Sequence, residues 1–486
     1  MAIGLGLLMA STLSLQMMPK SGRDHFVVEM YLNGGNGIEK TKEYADSLTS
    51  IFLNDDRVKH VTAFVGTGAP RFNVAYAPIL PSPQTAQLVV HTKSIKATEE
   101  IIREYENKYE HIFPNAFIRF KQMDYQIVAS PVLVNIYCDD REKLTEINDK
   151  IKGYMCSLTK ELKWVHSDMD NVAPWIEVEL EPDESARMGV NKTLVSLSLA
   201  VTYGSQNIAT LWENGRKIPV NIYSTNVSDS MSYSNIYGQM VPTTIPGVSV
   251  PLRQVADIKP EWRPYQLCRA DGENVVNIYA DLKTNQSQPK TVKKIKKFIK
   301  NNVEVPEDVR IEFGGLDAMN AYVLPQVIWS FLAAVGILFV FLLIHFKKTS
   351  IAILTMSMSL LCLFGASFGL WIFKMDFSIT AVLGLISLVG IIVRNGILMY
   401  EYAEDARFNG GQDVKTASME AGKRRMRPIF LTSSTTALGV LPMIIRGDAL
   451  WQPMGVVICF GTMLSIFLIT LIMPVSYWQV FKNADN

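Results

Sequence analysis

The stretch FSITAVLGLISLVGIIVRNGILMYEYA, residues 377–403, places an arginine, Arg394, inside a long apolar run. A helix needs about 20 predominantly apolar residues to cross a bilayer, and residues 377–400 supply them. Arginine does not lose its proton in proteins, so this charge is permanent and costs roughly 2.5–3.5 kcal/mol at the centre of a membrane helix. The stretch therefore predicts a membrane helix whose charge needs an opposite charge or a dense set of hydrogen bonds.

The charge of the chain is balanced overall but segregated along it. The 486 residues include 47 basic and 46 acidic side chains, and long apolar runs fill the region after about residue 320. Because a formal net charge of +1 gives no electrostatic footprint for nucleic acid, we expect no nucleic-acid partner. The cysteines and histidines show no metal-ligand spacing, and no nucleophile elbow or phosphate loop occurs. We therefore expect no metal site, no cofactor and no enzyme activity.

Several apolar runs predict a polytopic α-helical membrane protein. Five are long enough for complete spans, at residues 325–345, 350–373, 377–401, 428–446 and 453–478. A sixth, MAIGLGLLMASTLSLQMM at residues 1–18, is shorter and has neither a basic start nor a convincing cleavage site, so it does not fit a signal peptide. We interpret it as the end of a membrane helix whose start is missing.

The short loops between the spans predict the orientation in the membrane. Two basic residues, Lys374 and Arg446, lie in the loops on one side, and nine lie on the other. The nine are Lys347, Lys348, Arg407, Lys415, Lys423, Arg424, Arg425, Arg427 and Lys482. The positive-inside rule places the nine in the cytoplasm. The large polar region between the stretch at 1–18 and the span at 325–345 then lies outside, in the periplasm of a Gram-negative cell.

The polar region predicts repeated α+β units. The first, within residues 20–127, has its segments in the order β-α-β-β-α-β, which is that of the ferredoxin-like fold. Its strands are predicted at residues 25–32, 60–65, 86–92 and 116–120, and its helices at 37–54 and 95–112.

The second α+β unit is predicted to be split, with residues 128–181 and 266–318 on either side of an inserted domain at 182–265. Its strands are predicted at 131–138, 175–181, 273–282 and 309–315, and its helices at 141–163 and 289–302. Lysines crowd the last helix, but its apolar residues recur on one face. This pattern favours a solvated amphipathic helix over a nucleic-acid surface.

Arg394 has no evident partner in the sequence, because no acidic residue lies in the interior of any apolar segment. Glu401 follows seven residues later, which is about 10 Å along a helix axis. Two interpretations remain: Arg394 either snorkels towards the headgroups or pairs with a carboxylate from outside the chain. The Ser/Thr cluster at residues 432–436 likewise fits either helix packing or an ion pathway.

With these residues the chain resembles the resistance-nodulation-division efflux transporters, most specifically in residues 377–403 and in KRRMRPIFLTSSTTALGVLPM, residues 423–443. The segments ARMGV (186–190) and VPLRQVADI (250–258) are also similar to the family. The resemblance covers essentially the whole chain and implies the carboxy-terminal half of an inner-membrane permease of the amphiphile multidrug type. It implies a truncated seventh membrane helix at 1–18, a first porter subdomain at 20–127, a split second one at 128–181 and 266–318, a docking-type insertion at 182–265, and then helices eight to twelve.

The resemblance also implies a proton relay. In the family, the tenth helix carries a lysine that faces two aspartates on the fourth helix, in the amino-terminal half of the polypeptide. This chain has Arg394 at that place, which keeps the charge but excludes any step in which the basic residue deprotonates. Asn395 follows it, and Arg425 and Thr432 match the polar residues of the family's eleventh helix. The implied relay residues are therefore Arg394, Asn395, Arg425 and Thr432.

The resemblance implies a substrate path at the loop FVGTGAPRFNVAYAP, residues 64–78, where the family has a glycine-bearing gating loop. Gly66 and Gly68 permit unusual backbone angles, and Phe72 is suited to contact an apolar ligand. An ordinary hairpin loop remains the alternative.

The family further implies a set of partners and a location. These are a separate amino-terminal half that supplies the membrane aspartates, a homotrimer of complete pumps, a periplasmic adaptor protein, an outer-membrane channel and small amphiphilic substrates, all at the inner membrane of a Gram-negative bacterium and driven by the proton gradient. Two alternatives stay open: a membrane-anchored binding or scaffold protein, and an inactive truncated fragment.

Overall fold

The computed structural model describes residues 2–13, 18–19, 21–76, 79–109, 112–125, 127–204, 206–222, 233–283 and 286–482. The chain divides into two compact units. The larger unit consists of Met1–Leu32, Asn36–Asp168 and Leu267–Asn486, and the smaller one of Asn33–Gly35 and Met169–Gln266.

The helices and strands are numbered separately in chain order. The elements are α1 (Ala2–Thr12), β1 (His25–Leu32), α2 (Ile38–Leu53), β2 (Val58–Val65), β3 (Thr85–Thr92), α3 (Ile95–Tyr109), β4 (Ala116–Gln122), β5 (Val132–Tyr137), α4 (Arg141–Ser157), β6 (Leu162–Ser167), β7 (Val172–Leu180), α5 (Pro182–Arg187), α6 (Lys192–Tyr203), β8 (Gln206–Glu213), β9 (Arg216–Ile222), α7 (Tyr233–Tyr237), β10 (Met240–Pro242), β11 (Ser249–Pro251), β12 (Ala256–Pro264), β13 (Cys268–Ala270), β14 (Glu273–Leu282), α8 (Gln288–Asn302), β15 (Arg310–Gly314), α9 (Gly315–Phe346), α10 (Thr349–Ser359), α11 (Cys362–Ile372), α12 (Ile379–Phe408), α13 (Val414–Arg446) and α14 (Gln452–Phe481).

Lobe 1, residues 25–122 of the larger unit, is a four-stranded antiparallel sheet in the order β2-β3-β1-β4 with α2 and α3 on one face. Alternation along β1 turns Phe26 and Val28 towards the helices, where they are fully buried. The spacing of Ala45, Leu48 and Phe52 gives α2 the matching apolar stripe. On the opposite face, Ala69 and Tyr76 of the loop between β2 and β3 pack against Val27 and Val89 of the sheet.

Lobe 2, residues 132–167 together with 268–314, is built on a second antiparallel sheet in the order β13-β14-β5-β15, with β6 also paired to β14. Its core buries alternate residues of β5, including Val134 and Ile136, together with Ile295 of α8. The sheet therefore joins strands from both sides of the inserted residues.

Two details of lobe 2 differ from the sequence prediction. The helix predicted at 141–163 ends at Ser157, and the chain turns and continues as β6. The strand predicted at 175–181 is present as β7, but it pairs with β12 in the smaller unit instead of joining the sheet of lobe 2. Periodicity along a strand identifies its buried face but carries no information about which distant strand pairs with it.

The smaller unit is organised by the β7–β12 pair. Its core contains Val190, Val195, Val241, Leu252 and Ile258, all of them buried. Strands β8 and β9 form a separate hairpin, and residues 223–232 of the predicted insertion at 182–265 lie outside the described residues.

The membrane region of the larger unit contains long apolar helices. Four described helices are long and apolar enough to cross a membrane: α9, the α10–α11 segment Thr349–Ile372, α12 and α13. The number rises to five if the two bent parts of α14 count as one span. Of the stretch predicted at 1–18, α1 covers Ala2–Thr12, and residues 1 and 14–17 lie outside the described residues.

Glycines bring three of these helices into close contact. A Cβ atom on Gly365 of α11 would lie 2.9 Å from the Cα atom of Gly461 of α14. A Cβ atom on Gly461 would collide with Leu388 of α12. Helices α11, α12 and α14 therefore pack with no space for even one added methyl group at these points.

Phe52 and Leu53 of α2 offer a matched test of the core of lobe 1, since Phe52 is fully buried and Leu53 is 57% exposed. We expect Phe52→Ala to lower the free energy of unfolding of lobe 1 by roughly 3–5 kcal/mol, because the substitution removes buried area and leaves a cavity. Leu53→Ala should change it by less than about 0.5 kcal/mol. Native-state hydrogen exchange of the β1 amides measures both effects. Equal loss of protection in the two variants would contradict the assigned core.

Candidate functional site

Helix α12 has one packed side and one open side. Ser378 caps its start by accepting a hydrogen bond from the backbone nitrogen of Ala381 at 3.3 Å. Leu388 and Ile392 are fully buried in the membrane core. Arg394 lies on the open side, where it is exposed. Folding of this chain alone therefore leaves the charge on a surface.

Arg394 makes no ion pair or hydrogen bond with any residue that the structure describes. Glu404 lies on the same helix ten positions later, but it pairs with Lys348 of α10 and accepts a hydrogen bond from Tyr477 of α14. The carboxylates at this end of α12 therefore do not serve the charge of Arg394.

Asn395, the next residue, points into the bundle. It is 2% exposed, and its Nδ2 atom donates to Ser433 Oγ of α13 at 3.4 Å. Its Oδ1 atom is buried and has no hydrogen-bond partner among the described residues, and the same holds for Ser434 Oγ. Polar groups without partners are costly in an apolar environment. The contact between α12 and α13 therefore has acceptor and donor atoms available for further hydrogen bonds.

Arg425 and Thr432 both lie on α13 but in different settings. Arg425 is half-buried beside Tyr402 of α12, with its guanidinium carbon 5.4 Å from the ring centroid. Thr432 is exposed, and its hydroxyl donates to the backbone oxygens of Pro428 and Ile429, at 3.1 Å each. In the described chain, no hydrogen bond joins Arg394, Asn395, Arg425 and Thr432 into one cluster.

The stretch predicted as a substrate path, residues 64–78, begins at the end of β2 and continues into the loop between β2 and β3, where residues 77–78 lie outside the described part of the chain. Gly66 has a φ of +76°, and a Cβ atom there would lie 2.7 Å from Ile38 Cδ1. A Cβ atom on Gly68 would lie 3.0 Å from the backbone oxygen of Ile79. The conformation of Gly66 and the close approach at Gly68 thus both explain why these positions are glycine.

The rest of this loop lies on the polar face of the sheet of lobe 1. Phe72 is 39% exposed, and its ring centroid lies 5.2 Å from that of Tyr76 and 6.3 Å from that of His25. The backbone nitrogen of Ala69 donates to Gln87 Oε1 at 2.6 Å. The loop is therefore held to the sheet by this hydrogen bond, while the ring of Phe72 remains partly exposed to solvent.

Three histidines beside this loop were not singled out by the sequence. His60, His91 and His25 stand opposite one another on β2, β3 and β1, with adjacent ring centroids 4.5 and 5.3 Å apart. They are far apart in sequence, so only the strand register brings them together. The rings of His60 and His91 stack and that of His25 is tilted against His91, and no group of three or more His, Cys, Asp or Glu among the described residues is arranged to hold a metal ion.

Gly37, the residue before α2, is a matched control for Gly66, since nothing lies within 4 Å of a Cβ atom on Gly37. We expect Gly66→Ala to destabilise lobe 1 by roughly 1–3 kcal/mol, because the positive φ strains any side chain. Gly37→Ala should cost much less. Hydrogen exchange of β2 and β3 amides distinguishes them, and equal effects would argue against a strained turn at Gly66.

The stacked histidines predict a pH dependence of stability. Burial, reinforced by the neighbouring His60 and His25, lowers the pKa of His91 below its ordinary value of 6.5. The unfolded state then binds more protons, so lobe 1 should lose stability as the pH falls through about 6.5. His91→Gln should weaken this loss and His345→Gln on α9 should not. Hydrogen exchange at about pH 5.5 and about pH 7.5 measures the difference. An unchanged pH dependence in His91→Gln would contradict the assignment.

Comparisons of sequence relate this chain to efflux proteins. The AcrB/AcrD/AcrF family profile matches residues 1–481. The multidrug resistance protein MdtC of Yersinia enterocolitica is 24% identical over 432 residues, which cover 87% of this chain and 41% of MdtC. The MdtC protein of Erwinia amylovora is 26% identical over 354 residues, covering 72% and 34% of the respective chains. This chain spans less than half the length of these relatives.

Comparisons of structure give the same fold. A crystal structure of a heavy metal efflux pump, in its crystal form II, superposes with a TM-score of 0.81 at 17% identity, covering 99% of this chain and 49% of that one. Crystal form I gives a TM-score of 0.80 at 18% identity. With the family profile matching nearly every residue, the chain belongs to the AcrB/AcrD/AcrF family of resistance-nodulation-division efflux transporters.

Proposed function

We propose that this chain is the carboxy-terminal half of an efflux pump that exports drugs or amphiphilic compounds and is driven by the proton-motive force. The observation that carries the proposal is Arg394, a permanent charge on an open face of a membrane helix. Exposure to lipid would cost roughly 2.5–3.5 kcal/mol, so this face needs a polar or acidic cover. A second polypeptide half with membrane aspartates supplies that cover.

The membrane helices differ in how much of their apolar surface this chain buries, and the exposed part leaves room for a neighbouring polypeptide. The most apolar part of α9 is only 6% buried and that of α13 is 22% buried, against 50% for α12. Lipid alone accounts for apolar exposure, but it does not account for the exposed Arg394. The partner half would therefore lie against the open side of α12.

Electrostatics makes this contact suitable for coupling to protons. Two opposite charges about 4 Å apart attract by about 4 kcal/mol at an effective dielectric constant near 20. A proton that crosses a potential of 100 mV gains about 2.3 kcal/mol, which is of the same order. Protonation of the partner carboxylates would release Arg394 and shift the helices. Because arginine keeps its proton, the carboxylates are the carriers.

The α+β lobes would form the periplasmic porter region, and we interpret both as ferredoxin-like units. The loop with Gly66, Gly68 and Phe72 would line the path of the substrate, since Phe72 presents an exposed aromatic ring beside the half-buried His25. Relatives named as multidrug resistance proteins favour drugs and amphiphiles as the substrate class.

The proposed pump would be located in the inner membrane of a Gram-negative bacterium, with its lobes in the periplasm. A homotrimer of complete pumps, a periplasmic adaptor and an outer-membrane channel would complete the export route. Asn395, Arg425 and Thr432 would serve the proton path around Arg394. The Asn395 Oδ1 and Arg425 Nε atoms support such a role, since they are buried and have no hydrogen-bond partner in the part of the chain that the structure describes.

The relay is tested in cells that express this chain together with its amino-terminal half. We expect Arg394→Gln to slow export of a fluorescent dye by at least roughly tenfold, since a loss of only about 1.4 kcal/mol in coupling has that effect. Arg394→Lys should retain most of the export, because it preserves the charge. The rate of dye efflux from energised cells is the measurement.

Arg424→Gln is the matched control, since Arg424 pairs with Glu420 at 2.8 Å at the exposed end of α13. We expect this variant to export dye at the parental rate. Parental export by Arg394→Gln, with membrane levels unchanged, would disprove the relay and favour a membrane-anchored scaffold.

A further inference from the structure

A buried arginine joins the two lobes of the larger unit. Arg119 on β4 of lobe 1 is 5% exposed and Asp281 on β14 of lobe 2 is 7% exposed. The guanidinium donates from Nε to Asp281 Oδ2 at 2.7 Å and from Nη2 to Oδ1 at 2.6 Å. This bidentate pair is the strongest geometry for an arginine and a carboxylate.

The same guanidinium also contacts lobe 1. Its Nη1 atom donates to Glu29 Oε2 at 3.2 Å, and Glu29 is 3% exposed. Glu29 also accepts hydrogen bonds from Tyr31, at 3.0 Å, and from Tyr76. Tyr76 belongs to the loop that carries Phe72. A continuous chain of contacts therefore runs from lobe 2 through Arg119 and Glu29 to this loop.

The protonation states of the cluster are set by its own charges and hydrogen bonds. Burial opposes ionisation of Glu29, but the charges of Arg119 and Lys121 and the two tyrosine hydrogen bonds outweigh it and lower its pKa. Burial and the negative charge of Glu29 raise the pKa of Tyr76, so its hydroxyl stays a donor. Arg119 contacts two carboxylates, Asp281 and Glu29. Its hold on either carboxylate limits how closely the guanidinium can approach the other carboxylate.

An entirely structural role explains this cluster less well. Replacing a buried ion pair by well-packed apolar residues is often neutral or stabilising, so stability alone does not require one here. What the charges do provide is a fixed geometry between three separate parts of the chain: lobe 2, the sheet of lobe 1 and the loop.

We propose that Arg119 is a positioning residue that couples the contact between the two lobes to the position of residues 66–76, the first part of the loop between β2 and β3. While Asp281 holds Nε and Nη2 of the guanidinium, only Nη1 reaches Glu29, at Oε2, and Glu29 Oε1 accepts from Tyr76. When lobe 2 moves away, Arg119 turns fully to Glu29 and competes with Tyr76, which frees the loop. The inference rests on the proposed function only in placing this loop in the substrate path.

The test uses limited trypsin digestion of the chain in right-side-out membrane vesicles, with cleavage after Arg71 as the readout. Arg71 is an exposed residue of the loop, and its Nη2 atom donates to the backbone oxygen of Val74 at 3.0 Å. Cleavage there reports how often the loop opens. We expect Asp281→Asn to accelerate this cleavage roughly tenfold although the substitution lies in lobe 2. Tyr76→Phe, which removes the contact directly, should act similarly.

Two controls separate coupling from general destabilisation. Asp308→Asn removes a carboxylate from an exposed pair of lobe 2, with Lys143 at 2.6 Å, and should leave cleavage after Arg71 unchanged. Cleavage after Lys96, an exposed residue of α3, should not change in any variant. Asp281→Glu should restore much of the parental resistance.

Unchanged cleavage after Arg71 in Asp281→Asn, with faster cleavage in Tyr76→Phe, would overturn the coupling. Equal acceleration at Arg71 and Lys96 would overturn it as well, because the cluster would then be only structural. The digestion needs no transport activity. A failure of dye export would therefore refute the proposed function without affecting this result.

Discussion

A permanent positive charge in a membrane helix constrains the arrangement of the helices around it. Arg394 cannot be neutralised by a pKa shift, so only its surroundings can lower its cost. Folding has placed it on the one side of α12 that the other described helices leave open, while Leu388 and Ile392 fill the opposite side. The same helix therefore has one side packed in an apolar interior and an open side that carries a permanent charge.

The two faces of the sheet in lobe 1 carry different kinds of side chains. In lobe 1, one face of the sheet is closed by α2 and α3 and supplies the stability, whereas the other carries the buried ionic cluster and the three adjacent histidines. Alternation along each strand makes this possible, since neighbouring residues such as Val28 and Glu29 point to opposite faces. Stability and positioning are thus assigned to separate faces of one sheet.

The elements themselves followed closely from the sequence. Strands and helices of both lobes lie near their predicted places because apolar periodicity is a local property. The pairing of β7 with β12 was missed, and so was the end of α4 at Ser157, because both depend on residues that are distant in sequence.

The candidate site was predictable only in part. The charge in an apolar run marked Arg394, and the glycines marked the loop that begins at Gly66. No local signal pointed to the ring contact of His25 with His91 or to the contact of Arg119 with Asp281, since each pair joins strands that are brought together only by the fold. The roles of Asn395, Arg425 and Thr432 remain predictions.

The contacts of Gly365 and Gly461 have a mechanical consequence for the membrane region. The backbones of α11 and α14 touch at Gly365 and Gly461, and the side chain of Leu388 on α12 packs directly against Gly461, so these contacts contain no spare volume. A displacement of α12 at the level of Leu388 would therefore have to carry α14 and α11 with it, because no gap at these contacts could take it up.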